Sequence, residues 1–430
     1  MDELLYMDYE ISYSTLIFIF LFTFGLFYPI FKIAKTAFKK VFIFLFVLSY
    51  FIYSGIGISI LNDNGQYLFF YVFYTFVLSL SFYFYRKKTI KIPIDDIKVE
   101  NIINKYGLFF VVSYNLIFVS LLVFPEFKLL NLISPPSVDA SSMMEGIQGK
   151  KEAPWVSIVN VFLNILVPFY YMSLVRFKKR PFLLLILLVL PIYINYCFAA
   201  YVARTTMVLT FILYASLLYY YNEIYRKTIV ISSLVFLFFS VSFLTTYQAY
   251  RMGVEVTNIP FSAAMDGLFR IECTFPTWFH TIYDYSLKNE THIWDYYIWF
   301  VTQPIPGFLK SWITDFNQNV SIAELLLGMR KDDSVAFFVP LTGLIGESVF
   351  VFGRYFFFLH AILLGAVLNV FINFLESRNS FKVLMIYSII YIGLAIGRTG
   401  STGGMVYPYM IKTLIYVPFL LYVLNLKIKK

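Results

Sequence analysis

The sequence predicts an all-α polytopic integral membrane protein of about eleven transmembrane helices, N-terminus outside and C-terminus inside, with one large outer loop carrying interfacial or re-entrant helices. Three observations predict it. Continuous apolar stretches near the length of a membrane span recur along the chain. Hydrophobic residues fill 60% and charged residues only 14% of the 430 positions. Lys and Arg concentrate in alternate loops. A soluble domain holds about 45–50% apolar residues, and the mean hydropathy of +0.74 lies far to the apolar side of that range. A helix needs roughly 20 apolar residues to cross a hydrocarbon core about 30 Å thick. In lipid only helices and closed barrels satisfy their backbone, and the alternating pattern of barrel strands is absent.

The apolar stretches fall near 13–31, 41–61, 67–85, 107–127, 155–175, 181–201, 205–221, 229–247, 355–375, 381–397 and 409–426. Ahead of the first, Asp2, Glu3, Asp8 and Glu10 stand without a Lys or Arg. That is the reverse of a secretory signal's basic leader, so the first span is expected to be retained. Placing the loops 32–40, 86–105, 176–180, 226–227, 378–382 and 427–430 inside collects 21 of the 34 Lys and Arg there, with only five of the 25 acids in them or just beside them. The positive-inside rule then fixes the orientation. It also accounts for the net charge of +9 as anchoring to anionic lipid headgroups, which leaves no argument for a nucleic-acid partner.

Two outward connections are long, 128–154 and 248–353, and long loops tend to carry function. Within the second, 293–313 gathers Trp294, Tyr296, Tyr297, Trp299, Phe300 and Trp312 around a Gln-Pro-Ile-Pro-Gly break. Trp and Tyr favour the membrane interface, so an amphipathic segment lying there is expected. The stretch 335–353 is apolar but interrupted by Pro340, Gly343, Gly346 and Glu347, which predicts a re-entrant or surface helix. No internal repeat, low-complexity tract or soluble domain stands out, so residues 1–430 read as one membrane domain. The inward loop 86–106 lacks a phosphate-binding glycine motif, which removes the basis for an ATP or nucleotide-sugar site. Cys197 in a span and Cys273 in an outer loop imply neither a disulfide framework nor a zinc site. With no His-x-x-His or Cys-x-x-Cys spacing, no metal or cofactor is expected.

Four arginines fall where positive charge is least expected, on the outward side. Arg204 begins the seventh span, Arg251 follows the eighth, Arg270 lies in the large loop and Arg398 ends the tenth. Guanidinium stays charged and presents a planar fork of donors matched to phosphate oxygens. Arginines at span ends also snorkel to the interface and anchor helices, which remains the alternative for any one of them. As a set they are harder to read that way, because Lys or Trp would anchor as well. Arg398 precedes Thr399-Gly400-Ser401-Thr402-Gly403-Gly404, the most glycine-rich stretch of the chain. This reads either as a turn between spans or as a cradle whose backbone N–H groups converge on an anion.

Outward acids that could serve as a general base are Glu255, Asp266, Glu272, Asp284, Asp295 and Glu347. Glu272 and Glu347 stand apart because apolar residues precede each of them. His280 is a further outward base, and His360, in a span, reads as core.

These features resemble the Wzy-type polymerases of bacterial O-antigen and capsule assembly. The resemblance rests on Gly346-Glu347 with Gly353 just before a span, Ala203-Arg204-Thr205 opening an outward helix end, Gly397-Arg398-Thr399-Gly400, and the Arg-x15-Gly spacing of Arg251 and Gly267. It covers the span layout and residues 200–410 in detail. It implies a glycosyltransferase of the bacterial cytoplasmic membrane that joins oligosaccharide repeat units carried on undecaprenyl pyrophosphate, with membrane lipids and a chain-length regulator as partners. Arg204, Arg251, Arg270 and Arg398 would bind the pyrophosphate, and Glu272, Glu347 or His280 would take the acceptor proton. An O-antigen ligase shares this chemistry, and a lipid-linked oligosaccharide flippase shares the need for basic groups at the pyrophosphate.

Overall fold

The computed structural model describes residues 12–61, 66–90, 96–124, 126–137, 154–200, 202–251, 275–288, 290–305, 307–330, 342–403 and 406–428. Every element among them is helical, and nine of the helices are long and apolar enough to cross a membrane. In chain order the first are α1 (Tyr13–Ile33), α2 (Ala37–Tyr50), which runs on through a π turn into Ile56–Leu61, α3 (Gln66–Tyr85), α4 (Asp96–Ser120) and α5 (Pro154–Ser173). There follow α6 (Pro181–Ala199), α7 (Arg204–Tyr221), α8 (Arg226–Arg251), α9 (Phe275–Ser286) and α10 (Ile293–Val301). The last are α11 (Gln318–Leu327), α12 (Gly343–Phe356), α13 (Phe358–Glu376), α14 (Lys382–Gly403) and α15 (Val406–Ile428). The expected spans 205–221 and 229–247 fall in α7 and α8, of which α7 offers a shorter apolar helix, Thr206–Tyr221.

The chain divides into two compact units. The first is assembled from Met1–Lys91, Phe269–Ser377 and Ser388–Ile411. Its helices approach closely where side chains are small, as membrane helices do when backbone packing replaces hydrophobic drive. On α13, a Cβ at Gly365 would lie 2.4 Å from Ser81 Oγ of α3, and that hydroxyl donates to the Ile362 carbonyl at 2.9 Å. On α14, Gly393 and Gly397 face α2, where added Cβ atoms would meet Leu45 Cβ at 2.8 Å and the Ser49 carbonyl carbon at 2.3 Å. Hydroxyls tie the same region together: Thr23 to Tyr71 at 2.7 Å and Tyr50 to Thr75 at 2.8 Å. The buried Lys39 is satisfied by the Arg86 carbonyl at 2.7 Å and Asn373 Oδ1 at 2.8 Å.

Helices α9 to α12 of the long connection 248–353 belong to this unit, and two of them bear on the sequence reading. Helix α10 is two-faced as its aromatic pattern predicts, with Tyr296 and Trp299 buried while Trp294 is 79% and Val301 71% exposed. Helix α12 differs from expectation. Every residue from Gly343 to Gly353 is buried, whereas a helix lying on a surface keeps one face open, so the described part of the stretch 335–353 is an interior helix; residues 335–341 lie outside the described residues. Fourteen residues at about 1.5 Å each reach only about 21 Å, short of a full span.

The second unit comprises Ile92–Leu268, Arg378–Tyr387 and Lys412–Lys430. Aromatic stacking joins α4 to α5, with Tyr114 and Tyr170 centroids 4.3 Å apart and Phe110 to Phe169 at 5.0 Å. Tyr171 stacks on Tyr387 of α14 at 3.9 Å. Helix α4 begins at Asp96, well before the expected 107. The charges that suggested a loop, Lys98, Glu100 and Lys105, lie on its exposed face, while Val99, Ile102, Ile103 and Phe110 are buried at helical spacing. Cys197 is a buried free thiol packed beside Leu122 and Ile194.

Candidate functional site

A polar interior cluster of the first unit centres on Glu347, beside a break in α14. Gly400 has φ 77 and ψ −174, a backbone region essentially restricted to glycine. The break leaves the N–H of Ser401 without a regular helical acceptor. The Glu347 carboxylate supplies one: its Oε2 accepts from the Ser401 N–H at 2.7 Å, and its Oε1 accepts from the Ser401 hydroxyl. Charge-assisted bonds of this kind are the stronger ones, and Glu347, only 1% exposed, has little water to compete. Within the glycine-rich stretch after Arg398, Ser401 is thus tied through its N–H and its hydroxyl to an internal carboxylate.

His360 stands behind this contact. Its Nε2 lies 3.0 Å from Ser401 Oγ and 3.4 Å from Glu347 Oε1, and its Nδ1 lies 2.8 Å from the Tyr74 hydroxyl. With the Ser401 hydroxyl donating to the carboxylate, that oxygen is left to accept, so Nε2 carries a hydrogen. Tyr74 of α3, Glu347 of α12, His360 of α13 and Ser401 of α14 therefore form one connected polar path through the first unit. The buried Tyr407 lies alongside, its ring 6.3 Å from His360. Its hydroxyl sits beside Ser401 and Tyr296 without a hydrogen bond of good geometry to either.

A second break closes α12. Gly353 has φ 69 and ψ 174, and two residues earlier the Val351 carbonyl accepts from the His292 N–H at 2.9 Å. Tyr285 donates to Glu290 at 2.6 Å and meets His292 Nε2 at 3.1 Å. Partial burial and then the Glu290 carboxylate push the Tyr285 hydroxyl up to about 12, so it stays a donor.

Of the four arginines, only Arg398 has a described side chain. It lies partly buried in α14 between Gly397 and the Gly400 break. Arg204 opens α7 after Ala203 and Arg251 closes α8, both known by backbone alone, while Arg270 and Glu272 lie outside the described residues. His280 projects from α9 with its side chain 63% exposed, Nε2 3.5 Å from Asp284 and Nδ1 2.6 Å from the Tyr67 hydroxyl. Sequence reading singled out Glu347 and Arg398 but missed Ser401 as a ligand of Glu347 and left His360 as core. The signal for His360 was its position, since a titratable side chain within a span is costly there unless it has a partner. Arg354, also not singled out, follows the Gly353 break with its guanidinium carbon 4.7 Å from the Tyr355 ring centre. Among the described residues no group of three or more His, Cys, Asp or Glu gathers to hold a metal.

No family model, no curated protein and no solved structure matches this chain.

Proposed function

We propose that this protein is a membrane glycosyltransferase that polymerises oligosaccharide repeat units carried on undecaprenyl pyrophosphate, on the outer face of a bacterial cytoplasmic membrane. In this reading the chain crosses the membrane eleven times, with its N-terminus outside, and the broken end of α14 faces outward. The observation that carries the proposal is the elaborate fixing of the one turn that bears Arg398, an arginine at a span end on the side where the loop charges argue against one.

A hydroxyl of the acceptor sugar attacks the anomeric carbon of the donor. The bond from that carbon to pyrophosphate breaks, and the lipid pyrophosphate leaves with the electron pair. Negative charge grows on the leaving group, so fixed cations aimed at it lower the barrier. Arg398, with Arg204, Arg251 and Arg270, supplies them. The proton of the attacking hydroxyl goes to Glu272 or to the exposed His280, which faces Asp284. Glu347 enters as a holding residue, because both of its oxygens are engaged by Ser401.

Deletion of the gene followed by a glycan gel tests the class of reaction. Loss of a polymerase leaves lipid carrying a single repeat unit, whereas loss of a flippase or ligase removes even that product. In a complemented deletion strain, Arg→Ala at 204, 251, 270 or 398 is expected to abolish polymer with expression intact, and Arg398→Lys to restore little of it, because a bidentate fork is lost. Wild-type ladders from all four alanine variants overturn the reading.

A further inference from the structure

Arg398 stands between two fixed points. One residue before it, the Gly397 N–H donates to Ser49 Oγ at 3.2 Å, in a backbone approach so close that a Cβ would sit 2.3 Å from the Ser49 carbonyl carbon. Three residues after it, Ser401 is bound through both its N–H and its hydroxyl to the Glu347 carboxylate. Helix ends fray because their last carbonyls lack intrahelical partners, and a frayed turn carries its side chains with it. Here fraying from Gly400 back over Arg398 requires breaking a buried carboxylate away from two donors at once.

We propose that Glu347 is a positioning residue for Arg398: by clamping Ser401 it holds the last turn of α14 in place and so fixes where the guanidinium is presented to a pyrophosphate group. His360 and Tyr74 back the clamp by orienting the Ser401 hydroxyl. The inference rests on Arg398 serving as a pyrophosphate ligand, but the clamp itself is measurable without that reading.

The test is hydrogen–deuterium exchange of the full chain in nanodiscs, comparing wild type with Glu347→Gln, Glu347→Asp and Ser401→Ala. In Glu347→Gln, amides of residues 398–403 are expected to exchange about tenfold faster, the scale of one lost charge-assisted hydrogen bond. Ser401→Ala, which keeps the N–H but loses the hydroxyl, gives a smaller rise in the same peptide, and Glu347→Asp, with its charge kept, returns part of the protection. Amides of α3 and α13 stay at wild-type rates. Unchanged exchange at 398–403 in both Glu347→Gln and Ser401→Ala overturns the clamp, as does a rise spread equally over α3 and α13, which marks general destabilisation. Glycan gels of the same variants separate the two ideas. Local exchange raised together with lost or shortened ladders supports the positioning role. Local exchange raised with full ladders keeps the clamp and overturns the positioning role, while the Arg398→Ala ladder alone decides the polymerase reading of Arg398.

Discussion

Gly400 shows how far one residue can be constrained. Its φ of 77 is disfavoured for any side chain, and a Cβ there would also fall 2.2 Å from Glu347 Oε2 and 3.2 Å from the Gly343 carbonyl. Gly328 shares the positive φ, at 63, with nothing within 4 Å. The pair separates backbone strain from steric conflict. Gly328→Ala is expected to cost about 1 kcal/mol, as at a helix C-cap. Gly400→Ala adds displacement of the carboxylate to a strain of about 1–3 kcal/mol, and is expected to lower the unfolding temperature in detergent well beyond Gly328→Ala. Equal shifts for the two variants would show that the Glu347 contact adds nothing. At this scale the sequence was informative about which residues matter and silent about what they touch. Glu347 was conspicuous as a carboxylate among apolar residues, yet its partner lies 54 positions away, beyond the reach of any local periodicity.

Among the elements, α3 and α13 make the clearest example of packing that small residues permit. Ser81 both fills the space over Gly365 and donates to the Ile362 carbonyl. Gly365→Ala forces the helices apart or displaces that hydroxyl, and is expected to destabilise the protein. Combining it with Ser81→Gly frees the space and should recover part of the loss, with a coupling of about 0.5–3 kcal/mol typical of residues in contact. Strict additivity in thermal unfolding would refute the contact. Nine of the expected spans were legible among the described residues, because long apolar runs have few alternatives in lipid. Two elements were not read correctly, each for a physical reason. The start of α4 hid behind Lys98, Glu100 and Lys105, which read as a loop although they share one exposed helix face. Helix α12 hid behind its glycines and Glu347, which suggested a re-entrant or surface helix, whereas the carboxylate is satisfied internally and the helix is buried from Gly343 to Gly353.

For the whole molecule the testable quantity is orientation. From the Lys and Arg distribution the loop carrying α9 is expected outside, so a reporter fused near His280, or an impermeant reagent directed to that loop, is expected to read outside, and an inside signal would reverse the chain. The expected orientation rests on loop charge, summed over many residues, and the reporter decides it. The grouping of the arginines was not readable, because sequence order does not report distance in space.

The contact between Gly397 and Ser49 joins residues 348 positions apart. At about 5–20 residues per second of synthesis, Ser49 waits roughly 20–70 s for its partner to emerge. During that time α2 stands without the α14 glycines that pack on Leu45 and Ser49. The first unit is therefore completed late in biogenesis, and a premature stop anywhere before Gly397 deprives α2 of the glycine that packs on Ser49.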